Sequence, residues 1–298
     1  MTQQSGHVFP HQSEEEYCEK LLRPAEIYHE NSKLTKAAWH AIQRAKHDPI
    51  QRAYASNTAR QLQEYSALIQ WGAKRYPQTP RIALPAAPQT LQQDIGTVLW
   101  QRRSERHFTG DALSLADLAA LLFFSYGITR YAEPQGQRYP RRVVPSGGGI
   151  YPLEVYVLAL NVADLAPGVY HYEGYAHALE QLRSGNVREE LVQSLLYNEL
   201  AHASAAAIVL GGIFERPRFK YGELSYRLVL FEAGHVGQNI CLISTALGLG
   251  VCPVAGFVDD GVNALLDLNG VDESAIYLFV LGMPQRHAAG HHTEGESA

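Results

Sequence analysis

RYPRRVVPSGGGIYPLEVY, residues 138–156, is the stretch on which the fold turns. A basic cluster runs into Pro145-Ser146 and three glycines, and these lead into apolar residues at every second position. Glycine accepts backbone angles closed to other residues, so main-chain N–H groups there can come close to a ligand. The period-2 pattern that follows predicts a strand over residues 153–160. A tight turn thus opens straight into a strand. Upstream, Arg102-Arg103-Ser104-Glu105-Arg106 forms a second basic group. Two such sets of donors in one chain point to an anionic ligand rather than to a single salt bridge.

Working outward, Leu91, Ile95, Val98 and Leu99 make the apolar face of a helix that delivers Arg102 to Arg106 at its C-terminal end. Ser114 followed by Asp117 is a capping-box signature for a helix over 115–126, ended by Gly127. Beyond the glycine loop, Ala166-Pro167-Gly168 marks a turn, and residues 169–172 a short strand closing a hairpin. Residues 187–198 read as helix and 205–210 as a buried strand ending at Gly211-Gly212. After a polar and aromatic connection at 214–221, a helical period runs through 224–247, long enough for a central, nearly buried helix. Gly248-Leu249-Gly250 ends it and starts a strand over 251–257. A capped helix at 259–268 and a strand at 276–281, followed by Gly282, complete the pattern. Helices and strands do not strictly alternate, so the fold class is α+β rather than a doubly wound sheet.

Residues 1–88 read as a helical N-terminal extension and linker. Apolar residues recur irregularly over 14–47, with breaks at Pro24 and near Asn31-Ser32, and a further helical pattern covers 54–71. Pro77, Pro80, Pro85 and Pro88 make 76–88 an extended linker that wraps rather than packs. The main domain is then 89–286, with a mobile tail at 287–298.

A net charge of -5 and a pI near 6.2 give no overall field for nucleic acid or anionic membrane. Cys18, Cys241 and Cys252 have no paired spacing, so neither a disulfide framework nor a metal knuckle is indicated. The opening residues lack a basic segment followed by an apolar one, and no apolar run spans a bilayer, so the expected location is cytoplasmic. GxGxxG after a strand, the GxxxxGK[ST] phosphate loop and HExxH are all missing. His171 and His177 stand in a turn region without carboxylates at useful spacing, and His287, His291 and His292 belong to the solvated tail, so no metal site is expected.

Each candidate site residue has an ordinary reading beside the functional one. Arg102, Arg103 and Arg106 could be the solvated basic end of a helix, favoured by the dipole there. Pro145 to Gly149 could be a flexible turn. Taken together they suit FMN, whose dianionic phosphate needs cations and main-chain donors and whose ring needs a close apolar surround. Lys220 and Tyr221 could merely anchor the long helix. Alternatively they handle protons beside a redox centre, since a phenol and an ammonium both carry protons that burial can tune. Adjacent helical residues do not share a face, so both reach one substrate only from a loop or a distorted first turn. Glu232 and His235 read as buried packing or hydrogen-bonding residues.

With these residues laid out, the chain resembles the flavin-dependent nitroreductase superfamily, and within it the SagB-type dehydrogenases, the thiazoline and oxazoline oxidases. The resemblance covers residues 90–284. It rests on LWQRRSERHFTGDALSLADLAALLFFSYGITR (99–130), PSGGGIYPLEVY (145–156), PGVYHY (167–172), FKYGELSYR (219–227), EAGHVGQN (232–239) and GLGVCPVAGFVDD (248–260). The motif YHENSK at 28–33 is similar to a feature of the same branch. The resemblance implies a central, mostly antiparallel sheet flanked by helices, and a homodimer with FMN at the subunit interface. Arg102, Arg103, Ser104 and Arg106 would hold the phosphate and ribitol. Pro145, Ser146, Gly147 and Gly148 would approach the flavin from the partner, Gly248, Leu249 and Gly250 would border it, Gly282 would lie beside it, and Arg286 would add a phosphate contact. Lys220 and Tyr221 match the pair implicated in proton transfer, while Ser225 stands where many relatives have glycine. The implied substrate is an azoline-bearing peptide or carrier-bound precursor, handled with other biosynthetic enzymes. The rival expectations are a reductase drawing on NAD(P)H, and a flavin-bearing scaffold that holds a peptide.

Overall fold

The computed structural model describes residues 74–88, 91–133, 138–221 and 224–285. The chain divides into two units, Met1–Ala67 and Leu68–Ala298, and every described residue lies in the second. The expected helices of the N-terminal extension and the tail from Arg286 onward fall outside the described residues.

Seven strands form one sheet in the order β1-β6-β5-β4-β7-β9-β8. They are β1 (Arg81–Ala83), β4 (Leu153–Ala159), β5 (Gly168–Glu173), β6 (Ala178–Ser184), β7 (Ala206–Ile213), β8 (Gly250–Val254) and β9 (Glu273–Gly282). Every neighbouring pair is antiparallel. A separate two-stranded ribbon joins β2 (Ile128–Ala132) to β3 (Tyr139–Arg142). The helices are α1 (Ile95–Gln101), α2 (Leu115–Tyr126), α3 (Arg188–Ser194), α4 (Glu199–His202), α5 (Glu215–Tyr221), α6 (Leu224–Ala246) and α7 (Asp259–Leu266).

The alternation read in β4 divides the core. Leu153, Val155, Val157 and Ala159 join one apolar layer, with Leu118, Leu121 and Leu122 of α2 and Val229, Val236 and Ile240 of α6. Tyr156 and Leu158 face the opposite layer, with Leu191 of α3 and Val262 and Leu266 of α7. Helices thus cover both sheet faces, and the α+β class read from the sequence is the fold observed. The capping box is also present: Ser114 Oγ accepts from Asp117 N at 3.0 Å and donates to Asp117 Oδ2 at 2.6 Å.

Several boundaries differ from expectation for identifiable reasons. Residues 76–88 do not only wrap, because Arg81–Ala83 pairs with β6 as an edge strand. Strand β6 itself was not expected, since Glu180, Gln181 and Arg183 dilute its apolar signal. Strand β7 runs through Gly211-Gly212 instead of ending there. A Cβ on Gly211 would stand 3.0 Å from Tyr156 Cε2, and one on Gly212 2.9 Å from Val229 Cγ1, so these glycines serve close packing and not termination. The long helix is not nearly buried. Its inward stripe carries small and polar residues, such as Ser225, Ala233, Gly237 and Ser244, while Tyr226, Leu230 and Phe231 lie exposed.

Candidate active site: two half-cradles along one helix

The arginine segment leaves the end of α1, where Arg102 N donates to Val98 O at 2.9 Å. Glu105 N then donates to Val251 O on β8 at 2.8 Å, and the buried Glu105 carboxylate accepts from Arg106 N at 3.0 Å and His107 N at 3.1 Å. That carboxylate folds the loop around itself and turns the arginines outward. Phe108 plugs into the core against β8 and β9. A Cβ on Gly282 would lie 2.8 Å from Phe108 Cδ1, and one on Gly250 2.8 Å from Glu105 Cγ, so only glycine at this strand pair admits the loop. At the end of α6, Gly248 takes a φ of 73°, a left-handed angle suited to glycine at a helix terminus. Leu249 turns into the core, and Gly248 is the exposed residue of this turn.

Arg102, Arg103, Ser104, Arg106, Gly248, Leu249, Gly250 and Gly282 are therefore brought to one locality. The Arg103 side chain is 74% exposed, with a loose 3.7 Å approach to Glu105, and among the described residues the Arg106 guanidinium reaches only the Ser104 carbonyl, at 3.5 Å. Both guanidiniums remain available to an anion. Gly250 packs against Glu105, so the arginine loop sits at the C-terminal end of α6, on the side of Cys241, whose thiol burial pushes up to about 11 while Arg102 pulls against it. Arg286 lies outside the described residues.

Pro145, Ser146, Gly147 and Gly148 meet the other end of α6. A Cβ on Gly147 would come within 3.1 Å of Leu228 Cδ1. The turn is held by Gly149 N donating to Ser146 O at 3.0 Å and Tyr151 N to Ser146 Oγ at 2.9 Å. From Leu228 to Cys241 the helix climbs about 20 Å. The glycine turn and the arginine loop of one chain are thus separated, not gathered around one point.

Beneath the turn lies Glu232, buried and hydrogen-bonded as the sequence suggests. Tyr126 Oη donates to Glu232 Oε1 at 2.7 Å, and the buried Glu232 Oε2 has no hydrogen-bond partner within geometric limits among the described residues. Burial lifts the Glu232 carboxyl to about 7, against the opposing pull of Ser146, Tyr126, Arg142 and Arg216. Arg142 lies over the Tyr126 ring at 4.2 Å and donates to the Tyr126 carbonyl at 2.7 Å. A cavity of about 420 Å³ opens beside Pro145, Ser146, Gly148 and Gly149. His235, expected to be buried, is exposed.

Lys220 and Tyr221 are the last two residues of α5, a helix and not the loop that would let both address one substrate. Successive helical positions are turned by about 100°. The helix is anchored by Arg216, which binds the Glu154 carboxylate and donates to Tyr151 O at 3.2 Å. Against the cost of burial, Arg216 and His171 hold Glu154 down at about 2. His171 overturns its expected place in a turn without carboxylates: it is buried in β5, 2.9 Å from both Glu154 Oε2 and Glu180 Oε2. Those partners sit on the neighbouring strands β4 and β6, a proximity that spacing along the chain does not reveal. Burial would lower the His171 pKa, and the two carboxylates raise it. Among the described residues no group of three or more His, Cys, Asp or Glu could hold a metal, and no helix is long and apolar enough to cross a membrane.

Comparison with known proteins agrees with this architecture. A nitroreductase-family protein of Methanocaldococcus jannaschii is 33% identical over 190 residues, 64% of this chain and 91% of its own length. The Microcin B17-processing protein McbC of Escherichia coli is 35% identical over 135 residues, 43% of this chain and 49% of its own. Among solved structures, a nitroreductase-like protein of Anabaena variabilis superposes with a TM-score of 0.60 at 31% identity, covering 72% of this chain and 43% of that one. A chain of the Escherichia coli microcin synthetase McbBCD complex, with truncated pro-MccB17 bound, gives 0.51 at 26% identity, covering 73% and 80%. The chain thus spans under half the length of both McbC and the Anabaena protein. The Nitroreductase family profile matches residues 99–283, and with the antiparallel sheet and its flanking helices this establishes that the chain belongs to the nitroreductase family.

Proposed function

We propose that the chain is an FMN-dependent dehydrogenase of the SagB-type branch, oxidising thiazoline or oxazoline rings in a peptide or carrier-bound precursor to thiazoles or oxazoles. It works as a homodimer, with each flavin between the arginine loop of one protomer and the glycine turn of its partner. The observation that carries this reading is the division of the donors between the two ends of α6, with the glycine turn packed on Leu228 and the arginine loop on Gly250 and Val251, about 20 Å apart along the helix, which leaves each half in need of a second copy. Exposed apolar side chains support the same arrangement. Ile95, Leu99 and Trp100 on α1 and Tyr226, Leu230 and Phe231 on α6 present an apolar surface on two helices that touch.

The residues present fit FMN. Arg103 and Arg106 offer loosely held guanidiniums to a phosphate, and a Cβ on Gly248 would meet no atom within 4 Å, so the backbone there borders open space that a flat ring could approach. When bound, FMN would supply the two-electron acceptor. Arg102, Arg103, Ser104 and Arg106 would hold its phosphate and ribitol, and Gly250 and Gly282 keep that loop seated. Either Tyr221 or Lys220 takes the ring proton, and the helical geometry allots that task to one of them rather than to both. The likeness to McbC and to a chain of the McbBCD complex supports a peptide precursor and partner enzymes.

The test is a visible spectrum with mass measurement of the released chromophore, then anaerobic mixing with an azoline peptide. Bleaching, with a product two mass units lighter, is the expected result. A yellow protein that such peptides never bleach refutes the dehydrogenase. The near full-length match to the Methanocaldococcus protein favours a second reading, a reductase fed by NAD(P)H, and rapid bleaching by the nicotinamide alone would select it.

A further inference from the structure

The ribbon β2–β3 pairs Arg130 directly with Arg141. Residues opposite each other in an antiparallel ladder project their side chains to the same side, and like charges there repel. Both arginines line the cavity of about 420 Å³, joined by Arg142, and no acidic residue is among its lining. Among the described residues the Arg130 guanidinium has no hydrogen bond or ion pair, and the Arg141 guanidinium makes only a 3.5 Å bond to the Pro140 carbonyl. Arg142 keeps its Nε buried without a hydrogen-bond partner among the described residues. By contrast, the charges flanking the ribbon are matched: Arg138 pairs with Glu133 at 3.1 Å and lies over the Tyr131 ring. The repulsion between Arg130 and Arg141 is therefore concentrated on the cavity side.

Gly149 completes the arrangement. It has a φ of 68°, and a Cβ there would stand 2.8 Å from Arg141 Nη1, so glycine lets that guanidinium lie against the turn at the cavity wall. We propose that Arg130 and Arg141, backed by Arg142, form an oxyanion-binding subsite that captures a carboxylate or phosphoryl group of the substrate beside the glycine turn. Planar guanidinium forks are suited to two-pronged binding of either group, and an anion between them would convert the repulsion into attraction. The site rests on the ribbon's geometry; its role as a substrate anchor rests on the dehydrogenase reading above.

Calorimetric titration of the full-length, flavin-loaded protein tests this. The probes are a capped tetrapeptide with two central aspartates, its asparagine counterpart, and inorganic phosphate. The aspartate peptide or phosphate is expected to bind, more weakly at high salt, while the asparagine peptide does not. The double variant R130Q/R141Q should lose about tenfold or more in affinity with an unchanged flavin spectrum, and R130K/R141K should recover part of it. Tighter binding of the peptide assigns the source as carboxylate, and tighter binding of phosphate assigns it as phosphoryl. Equal binding of the two peptides without phosphate binding, or an undiminished affinity in R130Q/R141Q, overturns the subsite. A colourless protein that still binds the aspartate peptide would sink the flavin reading and leave the subsite standing.

Discussion

Replacing Glu232 with glutamine should make the folded chain more stable at alkaline pH, by an amount the structure allows to be worked out. The side chain is 2% exposed, and burial is the main reason its carboxyl rises from 4.5 to about 7. The folded state therefore holds a proton that the unfolded chain gives up near its ordinary value. Stability from this proton is fully present below that ordinary value and is lost as pH rises through about 7. A displacement of this size corresponds to about 3 kcal/mol, of which about 2 kcal/mol falls between pH 5.5 and 8. Glutamine keeps an acceptor for Tyr126 and never ionises, so the variant escapes the loss. Urea unfolding of both proteins at a series of pH values should show E232Q gaining on the wild type by about 2 kcal/mol over that interval. A difference that stays flat with pH would refute the buried, titrating carboxyl.

Four further results are expected. Gly282→Ala sets a methyl group 2.8 Å from the Phe108 ring, so it should cost about 1–3 kcal/mol in urea unfolding and loosen retention of the chromophore. Arg216→Met leaves the buried Glu154 carboxylate without its guanidinium and should cost about 3 kcal/mol or more by the same measurement. Ser114→Ala removes the α2 cap and should cost about 1 kcal/mol, read as a lower urea midpoint. Tyr221→Phe should slow azoline oxidation by about a hundredfold if the phenol handles the ring proton, with the flavin spectrum retained.

How far the sequence could be read depends on whether a signal is local. The capping box at Ser114, the period of β4, the glycine close of α6 and the order of helices and strands all rest on neighbours within a few residues. The arginine loop and the Gly248–Gly250 turn were likewise visible as motifs, and the fold brings them together with Gly282. Contacts across the sheet were not visible. His171 meets Glu154 and Glu180 only because β4, β5 and β6 lie side by side, and Arg130 meets Arg141 only through the register of the ribbon. Glycine was misread where it serves packing: Gly211-Gly212 resembles a strand end in sequence, yet there it makes room for Tyr156 and Val229. The exposed side of α6 was hidden by composition, since Tyr226, Leu230 and Phe231 look like core residues until the stripe of small residues is seen to face inward.

The distance along α6 bears on inheritance as well as architecture. On the dimeric reading, a chain damaged in its arginine loop still lends a sound glycine turn, and a chain damaged in the turn still lends a sound loop. Two defective alleles expressed in one cell would then rescue each other, because each mixed pair rebuilds one intact centre and concentrates both injuries in the other.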